Sequence, residues 1–219
     1  MKKKIAVLIP AKDEERGIGK VIAELPKGVD IYVIDGLSKD KTMQVAKSFG
    51  AKVINEKRLG YGRAYKTGFS KVPRSAKYVA CLDADGTYPA SRVTELVNML
   101  EKEKLDFISC QRILDGNMCL KHKIGNKVLT IATNMLFGVH IKDSQSGMWV
   151  FRRKILDEIK MESDGMAFSE ELKIRAATNG FRFREVPIEY RERIGEVKLK
   201  SNEDGIKNLI YLFKLRMSL

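Results

Sequence analysis

The chain has 219 residues, of which 44% are hydrophobic, enough for a sizeable core and too many for a disordered protein. Its formal net charge of +13 predicts a surface that attracts phosphates, whether in nucleic acids, nucleotides or anionic lipid headgroups. The three cysteines are an odd number without a CxxC pair, and the chain lacks any run of about 18 apolar residues that would predict a membrane-spanning helix. We therefore expect a cytoplasmic protein of one domain, or of one domain with a small appendage.

The first 70 residues predict three consecutive strand–helix units. Residues 5–9 and 31–34 are short apolar runs, typical of strands that are buried on both faces, and residues 52–54 form a shorter third strand. The helix after the first strand has one apolar face, formed by Ile18, Val21, Ile22 and Leu25. Repeated strand–helix units predict an α/β fold with a doubly wound, mostly parallel sheet.

A fourth strand, residues 78–82, runs directly into the sequence Asp83-Ala84-Asp85-Gly86. Because side chains alternate along a strand, Asp83 and Asp85 point the same way where the strand ends, and ligands bind at this edge of an open parallel sheet. Two neighbouring carboxylates repel each other unless a cation lies between them. A hard divalent ion that also binds a substrate diphosphate would meet that need, so the motif favours a metal site. A plain Asp-Gly turn is the alternative.

The second half of the chain adds further strands and helices. Residues 183–190 alternate like a strand, which Pro187 places at an edge of the sheet. Residues 128–139 are apolar and predict either a core helix or an interfacial helix that lies on a membrane. We divide the chain into a main domain, residues 1–200, and a C-terminal amphipathic helix, residues 201–219. The apolar face of that helix is formed by Ile206, Leu209, Ile210 and Phe213.

Several other functional motifs are excluded by their spacing. Residues 60–68 misplace the third glycine of a dinucleotide-binding loop, and residues 36–42 lack the second glycine of a P-loop. Neither His122 nor His140 has the spacing of a catalytic triad or of a zinc site. The basic stretches lack the interleaved aromatic residues of a single-strand binder, so we expect no nucleic-acid partner.

Seven short pieces, taken in their order and spacing, resemble the family 2 inverting glycosyltransferases, which have the GT-A fold. They are residues 9–14 (IPAKDE), 33–42 (VIDGLSKDKT), 60–64 (GYGRA), 83–86 (DADG), 143–147 (DSQSG), 185–188 (EVPI) and 193–198 (RIGEVK). The last piece is similar to a stretch of the polyprenyl-phosphate and dolichyl-phosphate hexosyltransferases. The resemblance covers residues 5–200, and it implies a Rossmann-like domain that binds a nucleotide sugar.

The resemblance implies a donor site formed by Pro10, Ala11, Glu14, Asp35, Asp83, Ala84, Asp85, Arg193 and Lys198. Within it, Asp83 and Asp85 would bind Mg²⁺ or Mn²⁺, which neutralises the diphosphate as it leaves. Arg193 and Lys198 would close over that diphosphate. Thr87 stands where related mannose synthases have Gln, so the donor sugar and the nucleotide base stay open.

The implied acceptor is polyprenyl or dolichyl phosphate, bound through Arg112, Lys121 and Lys123. This phosphate is ionised at neutral pH and needs no general base. The implied catalytic residues are therefore Asp85, Arg193 and Arg112.

A transferase that acts on a glycan hydroxyl is the alternative, and it would need a base. The candidates for that base are Asp143 and Glu170. A lipid acceptor, in contrast, predicts peripheral contact with the cytoplasmic face of a membrane, through the basic surface and an apolar helix. The C-terminal helix is our first choice for this contact, and residues 128–139 are the second.

Overall fold

The computed structural model describes residues 4–113, 120–196 and 201–218. Its strands are β1 Ile5–Ala11, β2 Asp30–Asp35, β3 Lys52–Asn55, β4 Tyr78–Cys81, β5 Phe107–Ile113, β6 Trp149–Arg152 and β7 Phe183–Glu189. Its α-helices are α1 Ile18–Glu24, α2 Thr42–Ser48, α3 Tyr61–Lys71, α4 Val93–Lys102, α5 Leu120–Phe137, α6 Ile155–Glu158, α7 Phe168–Thr178 and α8 Ser201–Ser218.

These strands form one sheet in the order β3-β2-β1-β4-β6-β5-β7. Parallel pairs join β1 to β2 and β4, β2 to β3, and β5 to β7, whereas β6 is antiparallel to both β4 and β5. The predicted α/β fold with a mostly parallel sheet is thus confirmed. The strand order reverses between β1 and β4, and open α/β sheets bind their ligands at such a switch point. Pro187 lies in the edge strand β7, as its missing N–H group predicts.

Helices cover both faces of the sheet. Alternation along β1 places Val7 and Ile9 in one buried cluster, together with apolar residues of α1, α2 and α4. Ala6 and Leu8 lie in the opposite cluster, with residues of α3 and α7. The first strand is therefore buried on both faces, as its continuous apolar run predicts.

A third, smaller cluster joins α5, α7 and α8. Leu212 and Leu215 of α8 are buried against Leu129 and Ile174, so α8 packs along one face onto the rest of the domain. The predicted apolar face of this helix is partly wrong, because Leu209 packs against the cluster while its predicted companions point away from it. The exposed apolar residues of α8 are Ile206, Ile210, Phe213 and Met217.

The helix predicted at residues 128–139 belongs to α5, one side of which packs on the domain, as predicted for a core helix. Leu129 is buried in the third cluster, and Ala132, Leu136 and Phe137 pack against it. The other side of α5 exposes Ile124, Val128, Ile131 and Met135. In the described part of the chain, no helix has the length and apolar character needed to cross a membrane.

Gly62 in α3 tests how tightly this helix packs. A Cβ atom there would lie 2.5 Å from the main-chain oxygen of Ser163 and 2.7 Å from Cβ of Phe168. We expect Gly62→Ala to lower the free energy of unfolding by about 1–3 kcal/mol, because overpacking outweighs the gain in helix propensity. Gly125→Ala in α5 is the matched control, since nothing lies within 4 Å of its Cβ position. The control should raise stability by about 0.5–1 kcal/mol. Urea denaturation measures both effects, and equal effects would contradict the packing.

Candidate active site

The loops that follow β1 and β2 are joined to each other by hydrogen bonds. The amide of Asp13 donates to Ser38 Oγ (2.9 Å), and the amide of Lys39 donates to the Asp13 carboxylate (2.6 Å). Asp13 and Leu37 have positive φ angles, 51° and 64°, which residues other than glycine rarely adopt. Backbone strain of this kind clusters at functional sites, and both residues lie at the carboxyl edge of the sheet.

Asp35 is the last residue of β2 and lies at the same edge. Its Oδ2 accepts a hydrogen bond from the amide of Ser38 (3.2 Å). Its Oδ1 is buried and has no hydrogen-bond partner among the described residues. An unsatisfied buried acceptor costs about 1–3 kcal/mol, so this atom is suited to accept a hydrogen bond from a ligand. A hydroxyl or N–H group of a nucleoside would meet that need.

Asp83 and Asp85 follow β4, across the switch point from these loops. Asp85 is buried, and its Oδ1 accepts hydrogen bonds from the amide and the hydroxyl of Thr87, at 3.0 and 2.7 Å. Asp83 Oδ1 accepts a hydrogen bond from Tyr61, the first residue of α3 (3.1 Å). Burial, and then the negative charge of Asp85, raises the pKa of Asp83 to about 7. The two carboxylates therefore lie close enough to repel each other, as alternation along the strand predicts.

Arg193 lies between two acidic groups of the site. Its Nη1 donates to Asp85 Oδ2 and its Nη2 donates to Glu14 Oε1, and both distances are 2.5 Å. Its Nε donates to the carbonyl of Glu196 (2.8 Å), and the amide of Ile194 donates to the carbonyl of Asp85 (2.8 Å). Residues 191–196 thus cross over the residues that follow β4. Arg193 brings the loops after β1 and β4 together at the switch point.

The acidic pair after β4 suits a hard divalent cation. Its donor atoms are carboxylate oxygens, which Mg²⁺ and Mn²⁺ prefer, and a bound cation would relieve the repulsion. Across residues 4–113, 120–196 and 201–218, no group of three or more His, Cys, Asp or Glu side chains is arranged to hold a metal alone. Asp83 and Asp85 therefore fit an ion that takes its other ligands from a diphosphate and from water.

The segment of residues 143–147, which precedes the antiparallel strand β6, lies at the same edge of the sheet. Its first residue, Asp143, forms a bidentate pair with Arg112 of β5, in which the Nε–Oδ2 and Nη2–Oδ1 distances are both 2.8 Å. Its last residue, Gly147, lies so close to Asp83 that a Cβ atom on it would be 2.7 Å from Asp83 Oδ2. The 143–147 segment therefore connects Arg112 to the acidic pair.

The structure brings most of the predicted site residues to one edge of the sheet. Those placed there are Pro10, Ala11, Glu14, Asp35, Asp83, Ala84, Asp85, Arg112 and Arg193. Lys123 lies in the first part of α5 and is partly exposed. The side chain of Lys121 and the whole of Lys198 fall outside the described residues. The individual roles of all these residues remain predictions.

Three residues of the site were not predicted. Tyr61 donates to Asp83, and the Tyr88 hydroxyl accepts a hydrogen bond from the amide of Gly147 (2.7 Å). The sequence held a signal for two of them, because Tyr61 and Gly147 belong to two of the short pieces that carry the family resemblance. Only the packing of α3 and of the 143–147 segment beside β4 shows that both contact Asp83.

The fold and the site define a GT-A type glycosyltransferase, and comparisons with known proteins agree. The model of the Glycosyl transferase family 2 matches residues 6–160. A dolichyl-phosphate hexose transferase of Haloferax volcanii is 33% identical over 201 residues, which are 89% of this chain and 86% of that protein. The low-salt glycan biosynthesis hexosyltransferase Agl6 of the same organism is 33% identical over 219 residues, which cover 95% of this chain. That match spans only 52% of Agl6, about half its length.

Solved structures show the same fold. Glucosyl-3-phosphoglycerate synthase from Mycobacterium tuberculosis in complex with UDP superposes with a TM-score of 0.77 at 18% identity, over 98% of this chain and 80% of that chain. Its complex with Mn²⁺, UDP and glucosyl-3-phosphoglycerate gives a TM-score of 0.74 at 18% identity, over 99% and 81% of the two chains. The chain described here belongs to glycosyl transferase family 2, and it is an enzyme that transfers a glycosyl group.

The raised pKa of Asp83 predicts that metal binding depends on pH. Mn²⁺ must displace the proton of a carboxylate that it binds, so the affinity for Mn²⁺ should fall up to about tenfold for each pH unit below about 7 and level off above it. Mn²⁺ titrations in the presence of a nucleotide sugar, followed by electron paramagnetic resonance, measure this dependence. A nucleotide sugar is the suitable ligand because its esterified diphosphate does not titrate near pH 7, unlike the terminal phosphate of UDP.

Asp83→Asn is the control for this titration, since it keeps the side-chain volume and has no proton to lose. The variant should bind Mn²⁺ weakly, and the steep loss of affinity below neutral pH should disappear. A wild-type affinity that stays constant between about pH 5.5 and 8.5 would contradict the coupling of proton and metal at Asp83.

Proposed function

We propose that this enzyme transfers a hexosyl residue from a nucleotide sugar to polyprenyl (dolichyl) phosphate, with inversion at the anomeric carbon and with Mg²⁺ or Mn²⁺ held by Asp83 and Asp85. Structural neighbours that contain UDP and Mn²⁺ support the class of donor and the metal. The Haloferax dolichyl-phosphate hexose transferase supports the acceptor. The observation that carries the proposal is the environment of the two residues that could act as a base.

A transferase that acts on a hydroxyl group needs a general base that reaches that hydroxyl, and the two candidates are poorly suited to this role for different reasons. Burial acts to raise the pKa of Asp143, but the paired guanidinium of Arg112 outweighs it, so that the pKa is lowered. A carboxylate with a lowered pKa is a weak base. Burial raises the pKa of Glu170 to about 7, which would suit a base, but the side chain is fully buried and its Oε1 accepts a hydrogen bond from Ser144 Oγ (3.3 Å). A base must lie within hydrogen-bond reach of the hydroxyl, and Glu170 has no exposed surface from which to reach one. These environments favour an acceptor such as a phosphate, which is ionised without a base.

Two arginines supply positive charge to the reaction. Arg193, between Asp85 and Glu14, is placed to stabilise the negative charge that builds on the diphosphate as the sugar leaves. Arg112 uses Nε and Nη2 for its pair with Asp143, and its Nη1 lies outside that pair. Arg112 can therefore bind an acceptor phosphate and align it for attack. A divalent ion, when bound, neutralises the leaving diphosphate.

Asp85→Ala should lower the rate of transfer by about 100-fold or more, because it removes both a metal ligand and the partner of Arg193. The assay follows radiolabelled hexose from a panel of GDP- and UDP-sugars, with Mn²⁺, into a short-chain polyprenyl phosphate. Asp157→Ala is the control, because Asp157 is an exposed residue of α6 that is paired with Arg153. It should transfer at the wild-type rate.

Each outcome of this assay has a separate meaning. Full activity in Asp85→Ala, or transfer by the wild type without a divalent metal, would contradict the assignment of the metal site. Transfer by the wild type to a glycan hydroxyl, with none to polyprenyl phosphate, would replace the proposed acceptor by the alternative one. Circular dichroism of both variants confirms that they are folded.

A lipid acceptor implies a membrane surface, and the outer sides of α5 and α8 are suited to contact one. Each helix exposes four apolar residues at successive intervals of 4, 3 and 4: Ile124, Val128, Ile131 and Met135 on α5, and Ile206, Ile210, Phe213 and Met217 on α8. Exposed basic residues accompany them, at Lys127, Lys207, Lys214 and Arg216. Apolar stripes with flanking Lys and Arg are typical of helices that lie on anionic membranes.

Two neighbouring residues of α8 separate membrane contact from packing. Phe213 is 53% exposed, whereas Leu212 is fully buried in the third cluster. Phe213→Glu should lower cosedimentation with phosphatidylserine-containing vesicles by about tenfold or more without loss of folding, because it places a negative charge in the apolar stripe. Leu212→Glu should destabilise the protein instead. Binding by the wild type should weaken at high salt and on neutral phosphatidylcholine vesicles. A wild type that ignores anionic vesicles would contradict the membrane contact.

A further inference from the structure

Lys173 of α7 is fully buried, which is rare for a lysine because its ammonium group loses its hydration. Burial lowers the pKa of Lys173 to about 8, although Asp143 opposes this shift. The ammonium donates hydrogen bonds to the carbonyl oxygens of Asp143 (3.1 Å) and Ser144 (2.6 Å), and it lies 5.9 Å from the centroid of the Trp149 ring. Both hydrogen bonds go to the main chain of the 143–147 segment.

Glu170, one helical turn before Lys173, holds the same segment through side chains. Its Oε1 accepts hydrogen bonds from Ser144 Oγ (3.3 Å) and from Gln145 Nε2. Residues three positions apart lie on the same side of a helix, so α7 contacts the segment with one donor and one acceptor. The segment belongs to no helix or strand, and its position therefore depends on such contacts.

The position of this segment affects both sides of the site. Lys173 holds the main chain of Asp143, whose side chain holds Arg112 through two hydrogen bonds. At the other end, Gly147 lies against Asp83. We propose that Lys173 is a positioning residue for the transfer reaction, which holds the 143–147 segment so that Asp143 directs Arg112 toward the acceptor phosphate. The proposal rests on the proposed function for the identity of that acceptor, and on the contacts alone for the placement of the segment.

Lys173→Met tests the inference, since it keeps the side-chain volume and removes the ammonium. Removing the ammonium leaves the carbonyl oxygens of Asp143 and Ser144 without this donor and should lower stability, so urea denaturation first defines the conditions in which the variant is folded. Leu172→Met is the matched control on the adjacent buried residue, which packs in the cluster with α3 instead. Amide hydrogen exchange over residues 141–148 should be about tenfold faster in Lys173→Met than in the wild type and unchanged in the control.

Kinetics separate positioning from a general loss of structure. In Lys173→Met the KM for short-chain polyprenyl phosphate should rise about tenfold, while the affinity for the nucleotide sugar with Mn²⁺ stays within about twofold of the wild type. An equal loss of affinity for both substrates would overturn the inference, because it indicates a site that is disordered as a whole. Unchanged hydrogen exchange over residues 141–148 in the folded variant would overturn it too.

The exchange measurement needs no substrate, so it decides the role of Lys173 whichever acceptor the enzyme uses. Failure of the wild type to glycosylate polyprenyl phosphate would contradict the proposed function alone. If Lys173→Met does not fold, Lys173→Gln, a shorter and uncharged side chain that keeps a hydrogen-bond donor, takes its place in the same measurement. Faster exchange over residues 141–148 then supports the inference, and exchange at the wild-type rate overturns it.

Discussion

Repulsion between Asp83 and Asp85 is the constraint on which the arrangement of the site depends. Alternation along β4 brings both carboxylates to one edge of the sheet, where burial makes a second negative charge costly. Arg193 donates to Asp85, and Tyr61 donates to Asp83. These contacts come from residues 191–196 and from the start of α3, which are distant from β4 in the sequence. The acidic pair thus accounts for the convergence of separate parts of the chain.

Features that follow from local periodicity could be predicted from the sequence. The doubly buried strands, the common direction of Asp83 and Asp85 and the edge position of Pro187 depend only on the alternation of side chains or on a missing N–H group. The family resemblance added the order of the pieces around the sheet, and the switch point then determined where they meet. The detail of the site could not be predicted in this way. Oδ1 of Asp35 has no hydrogen-bond partner in the described part of the chain, and no pattern in the sequence indicates which of the two oxygens that is.

Features that depend on partners distant in the sequence could not be predicted. Residues 169–171, at the start of α7, are all polar, which is typical of an exposed helix. An acidic first turn is favourable to the helix dipole whether the helix is exposed or buried. In the structure Glu170, Glu171 and Lys173 are all fully buried. Glu171 Oε2 accepts hydrogen bonds from the amide of Ser163 (2.8 Å) and from the hydroxyl of Tyr211 (2.9 Å). Because partners from other elements bind Glu171, Lys173 and the Oε1 atom of Glu170, the helix can be buried without being apolar.

The antiparallel strand β6 allows one part of the site to vary in sequence independently of the other part. Because β6 runs antiparallel to its neighbours, the chain enters it at the edge where β1, β2 and β4 end. Residues that precede a strand thereby lie beside residues that follow strands. Insertions or substitutions between β5 and β6 can change the side of the site formed by the 143–147 segment while the registers of β1, β2 and β4 stay unchanged. A chain built in this way can change the side chains that precede β6 while the residues that follow β1, β2 and β4 keep their places at the edge of the sheet.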